Sequence, residues 1–313
     1  MNLRPDDYSF MRYLAAKKGV DDRSLNRHVW DRLAKAILDF RGPEPLKVLE
    51  VGCGIGTMLE RLLDWGLLVH AAYTAVDAAP ECLEEARSRL RTYAERKGGG
   101  LVVDQNWLIF QSHSYRVLLQ WEALDLHRFL AREQGRAAWD LVIAHAFLDL
   151  VDLPATLPPL LSLLRDRGLA YFTLNFDGVT ILKPEVDPAL DRQIIDLYHR
   201  TMNERRVGGR PSGGSFTGRN LFRELAAAGA RVLAAGSSDW VVFPSPHGYP
   251  DDEAYFLHFL INTVREALDA HPELDPHRFQ HWVEARHAQI EAGRLVLIAH
   301  QLDFLARVGG EAE

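Results

Sequence analysis

Val48-Leu49-Glu50-Val51-Gly52-Cys53-Gly54-Ile55-Gly56-Thr57 runs an apolar strand straight into three alternating glycines, with a carboxylate two residues ahead of the first. The glycines allow a tight turn and let a ligand approach the backbone where any Cβ would clash, and the helix that follows opens with unpaired amides. A nucleotide-like ligand belongs in such a loop. The spacing is G-x-G-x-G with an acid at the strand end, whereas the dinucleotide fingerprint is G-x-G-x-x-G and sets a pyrophosphate on the helix N-terminus. A buried carboxylate at Glu50 would repel a pyrophosphate and attract a cation.

Outward from this loop the chain alternates strand and helix. Leu46 to Val51 is a strand, and the helix after the glycines presents Met58, Leu59, Leu62, Leu63 and Trp65. A second strand, His70 to Val76, ends in Asp77, and Pro80 opens a helix that stops at Gly98 to Gly100. Trp107 to Phe110 and Tyr115 to Gln120 read as strands, then a short helix spans Leu124 to Arg132 and a fourth core strand runs from Trp139 to Ala144. Leu157 to Leu164 is helical, and Leu169 to Leu174 is a fifth strand closed by the turn-like Asn175-Phe176-Asp177-Gly178. Such alternation implies a parallel, doubly wound sheet.

Helical periodicity before Leu38 predicts an N-terminal cap, and Asp187-Pro188 starts another helix that runs out in a glycine-rich loop, Gly208 to Gly218. Thr217 to Ala228 is a helix. Val232 to Phe243 holds a strand interrupted near Gly236, and Arg294 to Ala306 holds the last one. Between them, Asp251 to Ala270 and Asp275 to Ala292 are helical insertions. The division expected is a cap over 1–45, a cofactor-binding core over 46–178, a helical lid over 179–217, and the end of the sheet over 218–313 with an insertion at 246–293.

Composition bounds the function. With 313 residues and 47% hydrophobic content the chain can bury a large core, and it is not disordered. No apolar run approaches the roughly 20 residues that span a bilayer, and the N-terminus lacks a secretory signal's apolar stretch, so a cytoplasmic protein is expected. The two cysteines, Cys53 and Cys82, form no C-x-x-C pair, and His277 and His281 at i,i+4 lack a third ligand, so no metal site is expected. A net charge of −7 argues against a large nucleic-acid surface.

The acid-glycine motif, Asp77 at the end of the second strand, and Trp121-Glu122-Ala123-Leu124-Asp125 after the third resemble, in order and position, the class I S-adenosylmethionine-dependent methyltransferases. The resemblance implies a seven-stranded, mostly parallel α/β sheet closed by an antiparallel strand pair, with an N-terminal helical cap and a late helical insertion. It implies S-adenosylmethionine as cofactor. Glu50 would meet its ammonium, and Gly52, Cys53, Gly54 and Gly56 its amino-acid end. Asp77, with Ala78 beside it, would take the ribose diol, and Glu122 with the Ala123 amide would take the adenine edge. Asp125 is the rival for the adenine, or a helix cap.

Methyl transfer is an in-line displacement, so alignment and exclusion of water dominate, and a base is needed only where the acceptor must lose a proton. In open α/β sheets ligands bind at the carboxyl edge of the strands. There His145, also at the edge of the cofactor site, is the candidate base, and Asn175, with Asp177, a candidate to orient the acceptor. Their bland alternatives are loop hydrogen bonds and a turn. By the resemblance, the helices carrying Tyr13, Lys17, Lys18 and residues 21–26 would roof the acceptor pocket, although for most of these residues a solvated helix face is the plainer reading.

Arg200, Arg205, Arg206, Arg210 and Arg219 surround the glycine-rich loop and could bind an anion, although a surface connection is the plainer reading. Trp282, Phe256 and Phe259 read as core. The acceptor expected is an O or N atom on a small molecule, with an anionic group admitted by the arginines. Neither nucleic acid nor membrane is expected as a partner, and oligomeric state is unassigned. A protein methyltransferase, an RNA methyltransferase with less support, and a noncatalytic S-adenosylmethionine-binding protein are the alternatives.

Overall fold

The computed structural model describes all residues except 1–3, 6, 41, 105–106, 113–114, 208 and 311–313. Its strands are β1 (Leu46–Val51), β2 (His70–Asp77), β3 (Gly100–Asp104), β4 (Trp107–Gln111), β5 (Arg116–Ala123), β6 (Trp139–His145), β7 (Leu164–Lys183), β8 (Arg206–Val207), β9 (Arg210–Pro211), β10 (Ala230–Ser237), β11 (Trp240–Val242) and β12 (Val296–Val308). Ten of these form one sheet in the order β10-β12-β7-β6-β1-β2-β5-β4-β3, with β11 also on β12. The five strands β5-β2-β1-β6-β7 are parallel, and β12 and β10 continue the sheet antiparallel.

The expected seven strands are therefore present, and three more extend them, of which β4 is the strand read from the sequence over Trp107 to Phe110. β3 and β4 make an antiparallel hairpin beyond β5, and β11 pairs with the start of β12. The predicted turn over 175–178 is instead strand, because β12 runs beside it: Asn175 pairs with Leu302 and Phe176 with Gln301. The interruption within the strand predicted over Val232 to Phe243 falls at Ser238-Asp239, not at Gly236.

The helices are α1 (Phe10–Ala16), α2 (Lys18–Ser24), α3 (Arg27–Ile37), α4 (Thr57–Asp64), α5 (Pro80–Lys97), α6 (Leu126–Glu133), α7 (Leu153–Leu161), α8 (Pro188–Glu204), α9 (Thr217–Ala227), α10 (Glu253–Ala267) and α11 (Pro276–Glu291). Their starts follow from short polar side chains: Asn26, Asp125, Asp187 and Asp275 accept from the first-turn amides of α3, α6, α8 and α11. The sheet is covered on both faces. Leu33, Leu62 and Leu83, from α3, α4 and α5, are buried with Tyr73 and Ile143, while Phe129, Leu157 and Leu221, from α6, α7 and α9, are buried with Leu49 and Val142. Each such side chain stabilises the fold by roughly 1.5–3 kcal/mol. A third cluster joins α8, α10 and α11 through Leu197, Phe256 and Trp282.

Candidate active site

Gly52, Gly54 and Gly56 all have left-handed φ, at 65°, 52° and 78°, so the glycine loop needs its glycines for the backbone itself. Space is equally tight: a Cβ at Gly52 would lie 2.1 Å from the ring of Phe147. The loop is fastened to β2, where Asp77 Oδ2 accepts from the Gly54 amide at 2.8 Å and Oδ1 from the Ala79 amide at 2.9 Å. Beside it lies a cavity of about 470 Å³, lined by Gly52, Asp77, Ala78, Asp125, Phe147 and Val151 among others.

Glu50, at the end of β1 two residues ahead of Gly52, is almost wholly buried, lines neither this cavity nor the apolar cavity that adjoins it, and accepts from the Tyr73 hydroxyl at 2.6 Å. Burial pushes its carboxyl up to about 8, against the pull of Tyr73 and Arg61. Cys53 is core, packed with the first cluster. Glu122 does not reach the cavity. It shares the Gln120 side of β5, and its carboxylate is ion-paired to Arg132 at 2.6 Å. Glu122 and Ala123 lie outside the cavity lining, whereas Leu124, Asp125, Leu126 and His127 are in it, and Asp125 also caps α6.

A second cavity, of about 350 Å³ and largely apolar, adjoins the first. The two share Leu150, in a single 3₁₀ turn over Leu148–Leu150. Tyr13, Leu14 and Lys17 wall it from the cap, Leu174 and Phe176 from β7, Tyr198 and Met202 from α8, and Phe259 and Leu260 from α10. Phe259 therefore faces a cavity and stacks on Tyr13 with ring centroids 4.2 Å apart, whereas Phe256 and Trp282 are core.

His145 and Asn175 line neither cavity. His145 is held on both nitrogens: Nδ1 lies 2.8 Å from Thr173 Oγ1, and Nε2 lies 3.1 Å from Asp21 Oδ2 and 3.0 Å from Arg61. Burial and the Arg61 charge lower its pKa to about 4, so the ring is neutral near pH 7. Asp21 is fully buried and also accepts from Lys17 at 2.6 Å and from the Trp240 indole at 3.0 Å. Burial alone would raise its pKa, but Lys17, His145 and Arg61 hold it well below the usual carboxylate range. Arg61 also pairs with Asp22. This network ties α2 to α4 and β6. Asn175 donates to the Leu302 carbonyl at 2.8 Å, across to β12, and Asp177 binds Arg219.

The side chains that do enter the second cavity belong to neighbours: Ala146, one residue after His145, and Leu174 and Phe176, either side of Asn175. Ala146 and Leu174 have positive φ, at 49° and 54°, so local backbone strain lies at the cavity wall. Asp149, which sequence reasoning passed over, lines it too. The available signal was a lone acid in Phe147-Leu148-Asp149-Leu150-Val151, at the carboxyl edge of the sheet.

The arginines disperse. Arg200 pairs with Glu273 and Arg219 with Asp177, Arg205 donates to the carbonyls of Ser212 and Asp149, and Arg206 donates to the Gly209 carbonyl. Only Arg210 of the five lines the first cavity, from the β8–β9 hairpin. That hairpin is fixed to the turn between the cavities, through Ser212 Oγ on the Leu150 carbonyl at 2.7 Å and the Gly213 amide on Val151 at 3.0 Å. Gly208, at the start of the glycine-rich stretch, lies outside the described residues.

A family described as "Methyltransferase domain" matches residues 24–235, more than half of the chain. The chain belongs to this methyltransferase family. Its cofactor is S-adenosylmethionine, and the enzyme is of class I. No curated protein sequence matches the methyltransferase. Among solved structures it is similar to the phosphoethanolamine N-methyltransferase 2 of Haemonchus contortus, at 12% identity over 99% of this chain and 60% of that one, with a TM-score of 0.43. It is also similar to the magnesium protoporphyrin IX methyltransferase of Synechocystis PCC 6803, at 13% identity over 75% and 83% of the two chains and a TM-score of 0.40. The geranyl diphosphate C-methyltransferase of Streptomyces coelicolor A3(2) matches at 11% identity over 90% and 81%, with a TM-score of 0.42.

The methyltransferase's residues fit that cofactor. Three glycines hold left-handed backbone where side chains are rarely tolerated, and the Asp77 oxygens each retain a lone pair beyond their backbone bonds. Apolar side chains flank the same cavity. Among the described residues no group of three or more His, Cys, Asp or Glu is arranged to hold a metal, and no helix is long and apolar enough to cross a membrane.

Proposed function

We propose that the methyltransferase moves a methyl group to an oxygen or nitrogen of a small molecule held in the second, apolar cavity. The observation that carries this reading is the partition of the site: a polar-edged cavity at the glycine loop and an apolar one beside it, with Leu150 in both walls. A walled apolar recess suits a small ligand better than a peptide or nucleic-acid strand.

In this reading Gly52, Gly54 and Gly56 receive the amino-acid end of S-adenosylmethionine, Glu50 answers its ammonium from below, and Asp77 accepts from the ribose diol. Leu124 to His127, with Asp125 as the polar member, take the adenine in place of Glu122 and Ala123. His145 serves as a positioning residue that holds the cap against β6, and Asn175 steadies β7 against β12. The bound cofactor supplies an electrophilic methyl group. The protein's part is to align the acceptor from the neighbouring cavity and keep water out, with residues 46–178 holding the cofactor and helices of 1–45, 179–217 and 246–293 walling the acceptor.

Incubation with isotopically labelled S-adenosylmethionine and fractionated cell extract tests this directly. Label is expected in small molecules. Label confined to peptides or RNA, or cofactor bound but never consumed, would overturn the proposal.

A further inference from the structure

The turn that separates the two cavities carries one acid. Asp149 lines the apolar cavity, and its Oδ1 is buried with no hydrogen-bond partner among the described residues. The other charged side chains lining that cavity are engaged: Lys17 with Asp21 at 2.6 Å, and Arg205 with the Ser212 and Asp149 carbonyls at 3.0 and 2.9 Å. A buried carboxylate oxygen without a donor is costly, and such groups concentrate where a ligand completes the set. Here the ligand must come from the cavity, because the opposite side of the turn is closed by the hairpin residues Ser212 and Gly213.

We propose that Asp149 is the catalytic residue that meets the acceptor's nucleophile, accepting the proton of a hydroxyl or amine on an otherwise apolar molecule and disfavouring acceptors whose polar end is an anion. This rests on the apolar cavity being the acceptor site. In the transfer the acceptor's lone pair forms the bond to the methyl carbon, and the carbon–sulfur bond breaks with its electron pair left on sulfur. The acceptor's proton passes to Asp149 Oδ1, leaving that carboxyl neutral. Asp149 must therefore start ionised. Burial raises its pKa, opposed first by its own backbone amide and then by the Arg205 and Lys17 charges, and the other titratable groups facing it are Tyr13 of α1 and Tyr198 of α8. An acceptor with an anionic end is the class this arrangement turns away, because a carboxylate set against Asp149 Oδ1 would place two acceptors face to face with no donor between them, while Arg205 is turned to the Ser212 and Asp149 carbonyls.

Three probes with similar aromatic-alkyl bodies test it: 4-pentylphenol, 4-phenylbutylamine and 4-phenylbutyrate, titrated calorimetrically into the full chain saturated with S-adenosylhomocysteine. The phenol and amine are expected to bind at least tenfold tighter than the carboxylate. In Asp149→Asn the amine should lose at least tenfold and the carboxylate gain, with S-adenosylhomocysteine affinity unchanged as the check on folding. For whichever probe accepts labelled methyl, the acidic limb of the pH–rate profile should disappear in Asp149→Asn. Probe binding whose ranking ignores the substitution would overturn the role of Asp149 and leave the apolar cavity as the acceptor site. Failure of all three probes to bind the complex would remove the cavity reading itself, and the proposal with it.

Discussion

Glu50 holds two opposed requirements in one side chain. Its carboxyl has a folded pKa near 8, well above the ordinary value of 4.5, so the folded state keeps a proton that the unfolded chain releases. The stability this gives is full below pH 4.5 and is lost as pH rises toward 8. Glu50→Gln is therefore expected to leave the melting temperature of the unliganded enzyme nearly unchanged at pH 4.5 and raise it by several degrees at pH 8.5. Each unit of pKa displacement corresponds to about 1.4 kcal/mol. The same substitution should weaken S-adenosylmethionine at least tenfold in calorimetry, because Gln has no charge to answer an ammonium. Equal melting curves at both pH values would show that Glu50 is ionised in the free enzyme. At Gly52 the conflict is steric. Gly52→Ala meets both a left-handed φ and the Phe147 ring, and it should cost more than about 2 kcal/mol in urea unfolding. Adding Phe147→Ala should recover only the part due to the ring.

Among the elements, those whose signals are local were legible and those decided by a neighbour were not. β1 and β2 were visible as apolar runs ending at Gly52 and Asp77, and α5 was visible between Pro80 and Gly98. The Asn175-Phe176-Asp177-Gly178 segment has turn composition, but pairing with a strand more than 100 residues away decided it. β3 was hidden by Gly98 to Gly100, which stop α5 and open the strand within three residues. In the candidate site, side-chain parity was the obstacle. His145 and Asn175 have suitable chemistry at the correct edge, yet it is their neighbours Ala146, Leu174 and Phe176 that reach the apolar cavity, and Glu122 stops two residues short of Leu124, where its segment first meets the glycine-loop cavity. Between α10 and α11, His258 and His287 meet Nδ1 to Nδ1 at 2.8 Å, and burial lowers their pKa values to about 4 and 3. Both must remain neutral in the fold. The helix pair should lose stability as pH falls from about 6.5 toward 4, and replacing both histidines with leucine should flatten that part of the thermal-melt profile.

For the whole molecule, ligand binding is the measurable sum of the site. S-adenosylmethionine at a hundredfold excess over its dissociation constant should stabilise the fold by about 2.7 kcal/mol, read as a concentration-dependent thermal shift that NAD does not give. Asp77→Ala should abolish the shift. Integrity of the fold also depends on the cap, and Asp21→Asn is expected to destabilise it by about 3–5 kcal/mol in chemical denaturation, since it strips a buried carboxylate from Lys17 and Arg61. Ionic strength should act differently on this junction. Lys17 and Arg61 balance Asp21 and Asp22, and all but Asp22 are shielded from solvent, so counterions have little access to them. An exposed pair such as Arg12–Asp252 is open to screening in a way this junction is not. The cap, and with it the Tyr13 and Lys17 wall of the apolar cavity, should therefore stay seated from dilute buffer to molar salt.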